Sequence, residues 1–284
     1  MPPRRRRINK QGNKNHHIIL VVLLIVAGVF FLIREPGKQE SPKKFANISK
    51  PDVKKKTPPV KAPSVRGLPR VALIIDDLGP NRKKAEAVLK IKVPLTLSIL
   101  PQETYSAWIA EQGHKAGLDI IAHIPAEATK AMKLGKGGLF TWMTDDEIRT
   151  TLEKDLSSVP HIIGASTHMG SAFTTDRRAM KVFLTTIKKQ GLFFLDSYTT
   201  AESIGLTTAK EMGIKTDRRH VFLDNSNKPS LIKAEWERLM KLAKEQGYAI
   251  AIAHPRMNSL AFLKKTLPGN DDVEIVPLTA LIYD

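Results

Sequence analysis

The chain has 284 residues, 45 Lys and Arg against 28 Asp and Glu, 42% hydrophobic residues and no cysteine. That length can bury a sizeable core, and that apolar content excludes disorder throughout. Without cysteine there is no disulfide scaffold, no thiolate metal site and no cysteine nucleophile, which suits an oxidising compartment without requiring one. The net charge of +17 is unevenly placed. Residues 1–68 hold 16 basic and 3 acidic side chains, leaving 29 and 25 for the remainder. A nucleic-acid-binding domain carries its basic excess on the folded face, so no nucleic-acid partner is expected.

Residues 1–17 form a basic tail containing Arg4 to Arg7, Lys10 and Lys14, and 18–33 is an unbroken apolar run. As a helix that run would measure about 24 Å, short of a hydrocarbon core of about 30 Å. Snorkelling by Arg34, His16 and His17, or local thinning of the bilayer, covers the difference. The run continues as Phe30-Phe31-Leu32-Ile33-Arg34-Glu35-Pro36, with no small-x-small cleavage site. An uncleaved transmembrane signal-anchor is expected, with the N-terminus inside and the body exported. Basic residues also follow the span, so the charge bias for that orientation is weak. Residues 34–68, rich in Pro and Lys, read as a solvated linker.

From residue 69 to 284 the pattern becomes a repeating strand-helix unit. Short runs rich in apolar and β-branched residues occur at 71–76, 95–100, 119–124, 162–167, 192–197, 220–224, 248–254 and 274–278. Continuous apolar runs of this kind suit parallel strands buried on both faces. Thr144-x-x-Glu147 predicts a capping box, and Thr175-Asp176 predicts the start of the next helix. Gly117, Gly191, Gly213 and Gly247 each precede a strand, where a left-handed residue ends a helix. Seven to eight such units predict an α/β fold, a (β/α) barrel that need not be complete. No glycine-rich dinucleotide loop follows the first strand, which weakens a Rossmann alternative.

The ionisable residues fall at strand ends: Asp76 and Asp77 on the first, His123 on the third, His168 after the fourth. Asp196 closes the fifth, Asp224 the sixth and His254 the seventh. In parallel barrels these ends converge on one mouth. Each residue has a plainer reading. An Asp after a strand is often a helix cap, which explains Asp224 as well as a site does, and one buried His is more often a hydrogen-bonded core residue. The plainer reading weakens for three histidines at equivalent strand ends, and for two adjacent carboxylates after four apolar residues. Asp with imidazoles suits Zn²⁺ or a similar first-row divalent ion. A free carboxylate beside its water is a general base and a His across the mouth a general acid, which implies metal-assisted hydrolysis of an acyl bond. No G-x-S-x-G elbow supports a serine triad.

The set Ile74-Ile75-Asp76-Asp77-Leu78-Gly79, His123-x-Pro125-x-Glu127, Thr167-His168-Met169-Gly170-Ser171, Phe194-Leu195-Asp196-Ser197 and Ile252-Ala253-His254-Pro255 resembles the divergent polysaccharide deacetylase family from about Arg70 to the C-terminus. The resemblance implies a deacetylase-type barrel exported to the envelope of a Gram-negative bacterium, with an acetylated polysaccharide as substrate. It implies Asp76 as base, Asp77 and His123 as metal ligands, and His254 as acid. Asp76 is expected to be the more exposed of the pair, and so free to act as base. Better-known relatives have a second His four residues after the first, where Glu127 stands here. His168 supplies the missing imidazole, or Glu127 an oxygen ligand. Glu127, Ser171 and Asp196 are further expected as substrate contacts or supporting residues. Asp196 either holds the His254 imidazole charged or caps the end of its strand. The relatives' Arg-x-Pro-Tyr segment has no clear counterpart. Asn-rich sequence and a proline, usual in the divergent family before His168 and after Glu127, are replaced by Ala165-Ser166-Thr167 and Ala128. A non-catalytic carbohydrate-binding or scaffold protein is the competing class, and an amidase or esterase with another acyl substrate is a third reading. Trp108, Trp142 and Tyr198 are candidate sugar platforms, each equally explained by core packing.

Overall fold

Burial runs unbroken from Val71 to Asp76 in the first strand, β1 (Arg70–Leu78), as it does in a strand covered on both faces. A computed structural model of the chain describes residues 67–283; the basic tail, the anchor expected at 18–33 and nearly all of the expected linker lie outside the described residues. No helix among the described residues is long and apolar enough to cross a membrane.

After β1 the chain runs through α1 (Arg82–Leu89), β2 (Thr96–Ile99), α2 (Ser106–Lys115), β3 (Asp119–Ala126), α3 (Asp145–Ser157) and β4 (Gly164–Met169). It continues with α4 (Arg177–Lys189), β5 (Phe193–Asp196), α5 (Gly205–Glu211), β6 (Thr216–Arg218), β7 (Val221–Phe222) and α6 (Pro229–Gln246). The last elements are β8 (Tyr248–Ala253), α7 (Met257–Thr266), β9 (Glu274–Ile275) and α8 (Thr279–Ile282). The strands pair in parallel in the order β6-β5-β4-β3-β2-β1-β8-β7.

The two ends of that order are successive pieces of one stretch of chain. Arg219 N–H bonds to the Asp196 carbonyl on β5, and His220 N–H bonds to the Ile250 carbonyl on β8. The stretch begins on one edge of the sheet and ends on the other, giving a curled, incomplete barrel of seven staves with the sixth broken. The expected eighth stave is not one. Its run 274–278 yields only β9, which pairs with Arg70 and Val71 at the start of β1. There Pro277 follows, and the chain turns into α8.

Alternate strand residues divide the core. Ala72, Ile74, Ile121, Phe193, Leu195, Ile250 and Ile252 face inward and meet Leu278 and Ile282 from the C-terminal turn. Residues of the opposite parity, such as Leu73, Ala122, Ile124, Phe194 and Ala251, pack beneath the helices. Thr279 N–H bonds to Asp119 Oδ2 at 2.9 Å, fixing α8 at the starts of the strands. The expected caps are present: Thr144 and Glu147 form a capping box on α3, and Asp176 caps α4. Gly247 ends α6 at φ 89°, and Gly117, Gly191 and Gly213 also have positive φ.

Candidate active site

Strict strand alternation would send Asp76 and Asp77 to opposite faces. Asp76 shares the inward parity of Ala72 and Ile74. The β1–β2 register shifts between Ile75 and Leu78, and Asp77 takes φ 58°, a left-handed conformation that Asp tolerates. This irregularity brings both carboxylates to one cavity of about 610 Å³ at the C-terminal ends of the strands. Met169 (φ 59°), the last residue of β4, and Tyr198 (φ 48°), just after β5, are also left-handed. Such conformations for bulky residues cluster at functional sites.

Asp77 Oδ1 lies 2.8 Å from His168 Nδ1 and 3.4 Å from His123 Nε2, and one ligand atom from each of the three fits within 4.8 Å of the others. Ser166 Oγ, 2.8 Å from His123 Nδ1, fixes that ring with Nε2 toward the carboxylates, as second partners of metal-ligating imidazoles do. Burial works to raise the Asp77 pKa, but the two imidazoles outweigh it and hold the carboxyl well below its usual range. Asp76 Oδ2 is 3.4 Å from His123 Nε2, whereas its Oδ1 is buried with no hydrogen-bond partner among the described residues. One carboxylate and two imidazoles beside an orphaned carboxylate oxygen fit a divalent cation with an adjoining water.

On the other flank of Asp77, His254 Nε2 lies 3.5 Å from Asp77 Oδ2, and its Nδ1 lies 2.9 Å from Asp224 Oδ1. Asp224 is fully buried; its Oδ2 accepts from His254 N–H at 2.9 Å and Ser259 Oγ at 2.6 Å. Burial alone would lower the His254 pKa. The bond to Asp224 and the charges of Asp76, Asp77 and Asp224 reverse that, raising it above the ordinary imidazole value.

The partner of His254 is Asp224, not Asp196. Asp196 has the parity of Phe194, so its side chain turns outward to accept from Tyr198 N–H, Ser203 Oγ and Leu206 N–H at 2.8, 2.8 and 3.0 Å. It therefore caps the end of its strand. Glu127 Oε2 accepts from Thr141 N–H at 2.7 Å and Thr141 Oγ1 at 2.5 Å, away from the cavity. His168, rather than Glu127, is the side chain that lies beside Asp77 and His123. Ser171 Oγ accepts from Thr129 N–H at 2.9 Å, joining two loops. The expected exposures of the pair are reversed: the Asp76 side chain is 5% exposed and that of Asp77 32%. The irregularity at Asp77 turns that carboxylate into the open cavity, so the expectation for Asp76 rests on its orphaned oxygen rather than on exposure. Trp108 packs against the core beneath Arg82, Tyr198 lies under Arg218, and Trp142 is exposed beside Phe140.

A family model described as divergent polysaccharide deacetylase matches residues 73–282. An uncharacterized protein of Haemophilus influenzae is 32% identical over 210 residues, covering 73% of this chain and 74% of that protein. YibQ of Escherichia coli K12, also uncharacterized, is 28% identical over 218 residues, covering 76% and 68%. Among solved structures, an uncharacterized Agrobacterium tumefaciens protein superposes with a TM-score of 0.72 at 22% identity, covering 78% of this chain and 92% of its own. At that identity the likeness is one of fold.

Proposed function

The chain belongs to the divergent polysaccharide deacetylase family, and on that premise we propose that it is a metal-dependent hydrolase removing acyl groups, N-acetyl above all, from an envelope polysaccharide. The observation that carries the reading is the convergence of Asp76, Asp77, His123, His168 and the Asp224-held His254 on one cavity. A divalent cation held by Asp77, His123 and His168, zinc by the character of these donors, would supply a Lewis acid toward the acyl carbonyl and lower the pKa of a water. Asp76, with Oδ1 free of other partners, takes the proton of the attacking water as its oxygen bonds to the acyl carbon. His254, oriented by Asp224, gives a proton to the nitrogen as the carbon–nitrogen bond breaks. Free carboxylic acid and amine result.

The proposal includes anchoring by 18–33 with the barrel in the periplasm, supported by the clustered arginines before the apolar run and the Pro/Lys-rich linker after it. The decisive experiment pairs elemental analysis of the purified chain with acetate release from N-acetylated oligosaccharides after zinc loading. Stoichiometric metal with acetate release is expected. Metal without turnover on any acetylated glycan would favour a non-catalytic carbohydrate-binding protein.

A further inference from the structure

The cavity has a second wall, away from the three candidate ligands, and that wall is cationic. Arg219, Arg238 and Arg256 line it with a single acid, Glu235. Arg219 lies in the crossing between β6 and β7, where Nε and Nη2 donate to the carbonyls of Ser197 (2.7 Å) and Tyr198 (2.6 Å). These carbonyls satisfy its hydrogen bonds, and no carboxylate lies within salt-bridge distance of it among the described residues. Burial pushes its pKa down, against the more distant carboxylates of Asp76, Asp196 and Glu235. Arg256 Nη1 donates to the Asp224 carbonyl at 2.5 Å and likewise has no carboxylate partner among the described residues. Arg238 is paired with Glu235 at 2.8 Å on the exposed face of α6. A partly buried guanidinium without a counter-charge is costly unless a ligand provides one. With Asp77 committed to a cation, Arg219, Arg238 and Arg256 still outnumber the remaining lining carboxylates, Asp76 and Glu235.

We propose that this wall is an anion subsite, and that the glycan entering the cavity carries an oxyanion, carboxylate or phosphate, near the acyl group that is removed. Guanidinium forks match either oxyanion through paired N–H donors. The inference rests on the cavity being a glycan site, and it narrows the substrate class from acetylated polysaccharide to acidic acetylated polysaccharide.

The test measures binding by calorimetry with the full-length chain in detergent. Three N-acetylated tetrasaccharides of equal length serve as probes: one neutral, one bearing lactyl-ether carboxylates, one bearing phosphate monoesters. At low salt an anionic probe should bind about tenfold more tightly than the neutral one, and the preference should shrink as salt rises. The better of the two anionic probes identifies the oxyanion. Arg238→Gln, an exposed helical position that leaves folding intact, should narrow the preference several-fold, and Glu235→Gln should widen it. Arg149→Gln, on the outer face of α3, should leave the preference in place. Equal binding of neutral and anionic probes, or a preference indifferent to Arg238→Gln and Glu235→Gln, would overturn the inference. So would a preference lost equally in Arg149→Gln, which reports bulk charge. Acetate released from the neutral probe with no anionic preference keeps the hydrolase and removes the subsite. An anionic preference without turnover on any probe does the reverse.

Discussion

One backbone irregularity gives two adjacent carboxylates different surroundings. The left-handed Asp77 faces both imidazoles, and Asp76 keeps one oxygen without a partner. Asp77→Asn is therefore expected to lose both bound zinc and turnover. Asp76→Asn should retain zinc while acetate release falls by about 10²–10⁴-fold, the usual contribution of a general base. A fully active Asp76→Asn protein would refute the assignment. Away from the cavity, Asp155 is fully buried in α3, accepts from Gln102 Nε2 at 2.6 Å through Oδ1, and has no partner for Oδ2. Burial pushes its pKa up to about 7, with the Gln102 bond and the Lys154 charge restraining the rise. Between about pH 4 and pH 7 the folded chain holds a proton that the unfolded chain has released. Ionisation is thus penalised in the fold, and stability falls through that window by up to about 1.4 kcal/mol per pH unit before levelling off. Asp155→Asn keeps an oxygen for Gln102 and removes the penalty. Its denaturation midpoint relative to the unsubstituted protein should rise from pH 5 to pH 8, and a difference constant with pH would disprove this account. The residue types of the site were legible in the sequence because Asp and His are out of place at the ends of apolar runs. Which way each points was not. In Phe193-Phe194-Leu195-Asp196 both faces are apolar, so nothing local marks Asp196 as outward, and nothing marks Asp224 as more than a cap.

At the level of elements, the long apolar strands and the caps could be read directly, because burial on both faces and side-chain capping leave local signatures. β6 could not. Its three residues Thr216, Asp217 and Arg218 are all half-buried and carry no apolar pattern, so the pairing with β5 makes it a strand. β9 was expected to be longer because Val276 and Leu278 extend its apolar run. Both are buried as the chain leaves the strand: Val276 N–H still bonds to the Val71 carbonyl, and Leu278 fills the barrel interior. That interior depends on a small residue on β4. A methyl group at Gly164 would overlap the ring of Phe193, which faces inward from β5. Gly164→Ala should cost about 1–3 kcal/mol, the usual penalty of overpacking a filled core. A double substitution that also shrinks Phe193 to Leu should recover part of the loss. Urea unfolding of the single and double variants checks this, and additive losses would mean that the two side chains do not share space.

Charge distinguishes two parts of the whole molecule. The first 68 residues carry most of the basic excess, and the remaining 216 are close to balance. That contrast fits a membrane-proximal segment joined to a body that works on a soluble or wall-bound glycan. The proposed anchor would account for both the apolar run and the absence of a small-x-small site after it. In Gram-negative cells expressing the chain, the protein should remain in the membrane fraction after high-salt washing, because apolar insertion is insensitive to screening whereas a purely basic tail would be released. Protease added to spheroplasts should digest the barrel, and a chain lacking residues 1–33 should partition to the soluble fraction. A mature soluble form beginning near residue 34 would show the segment to be a cleaved signal. Release by salt alone would reduce the tail to an electrostatic contact, and a barrel protected from protease until the inner membrane is breached would reverse the orientation.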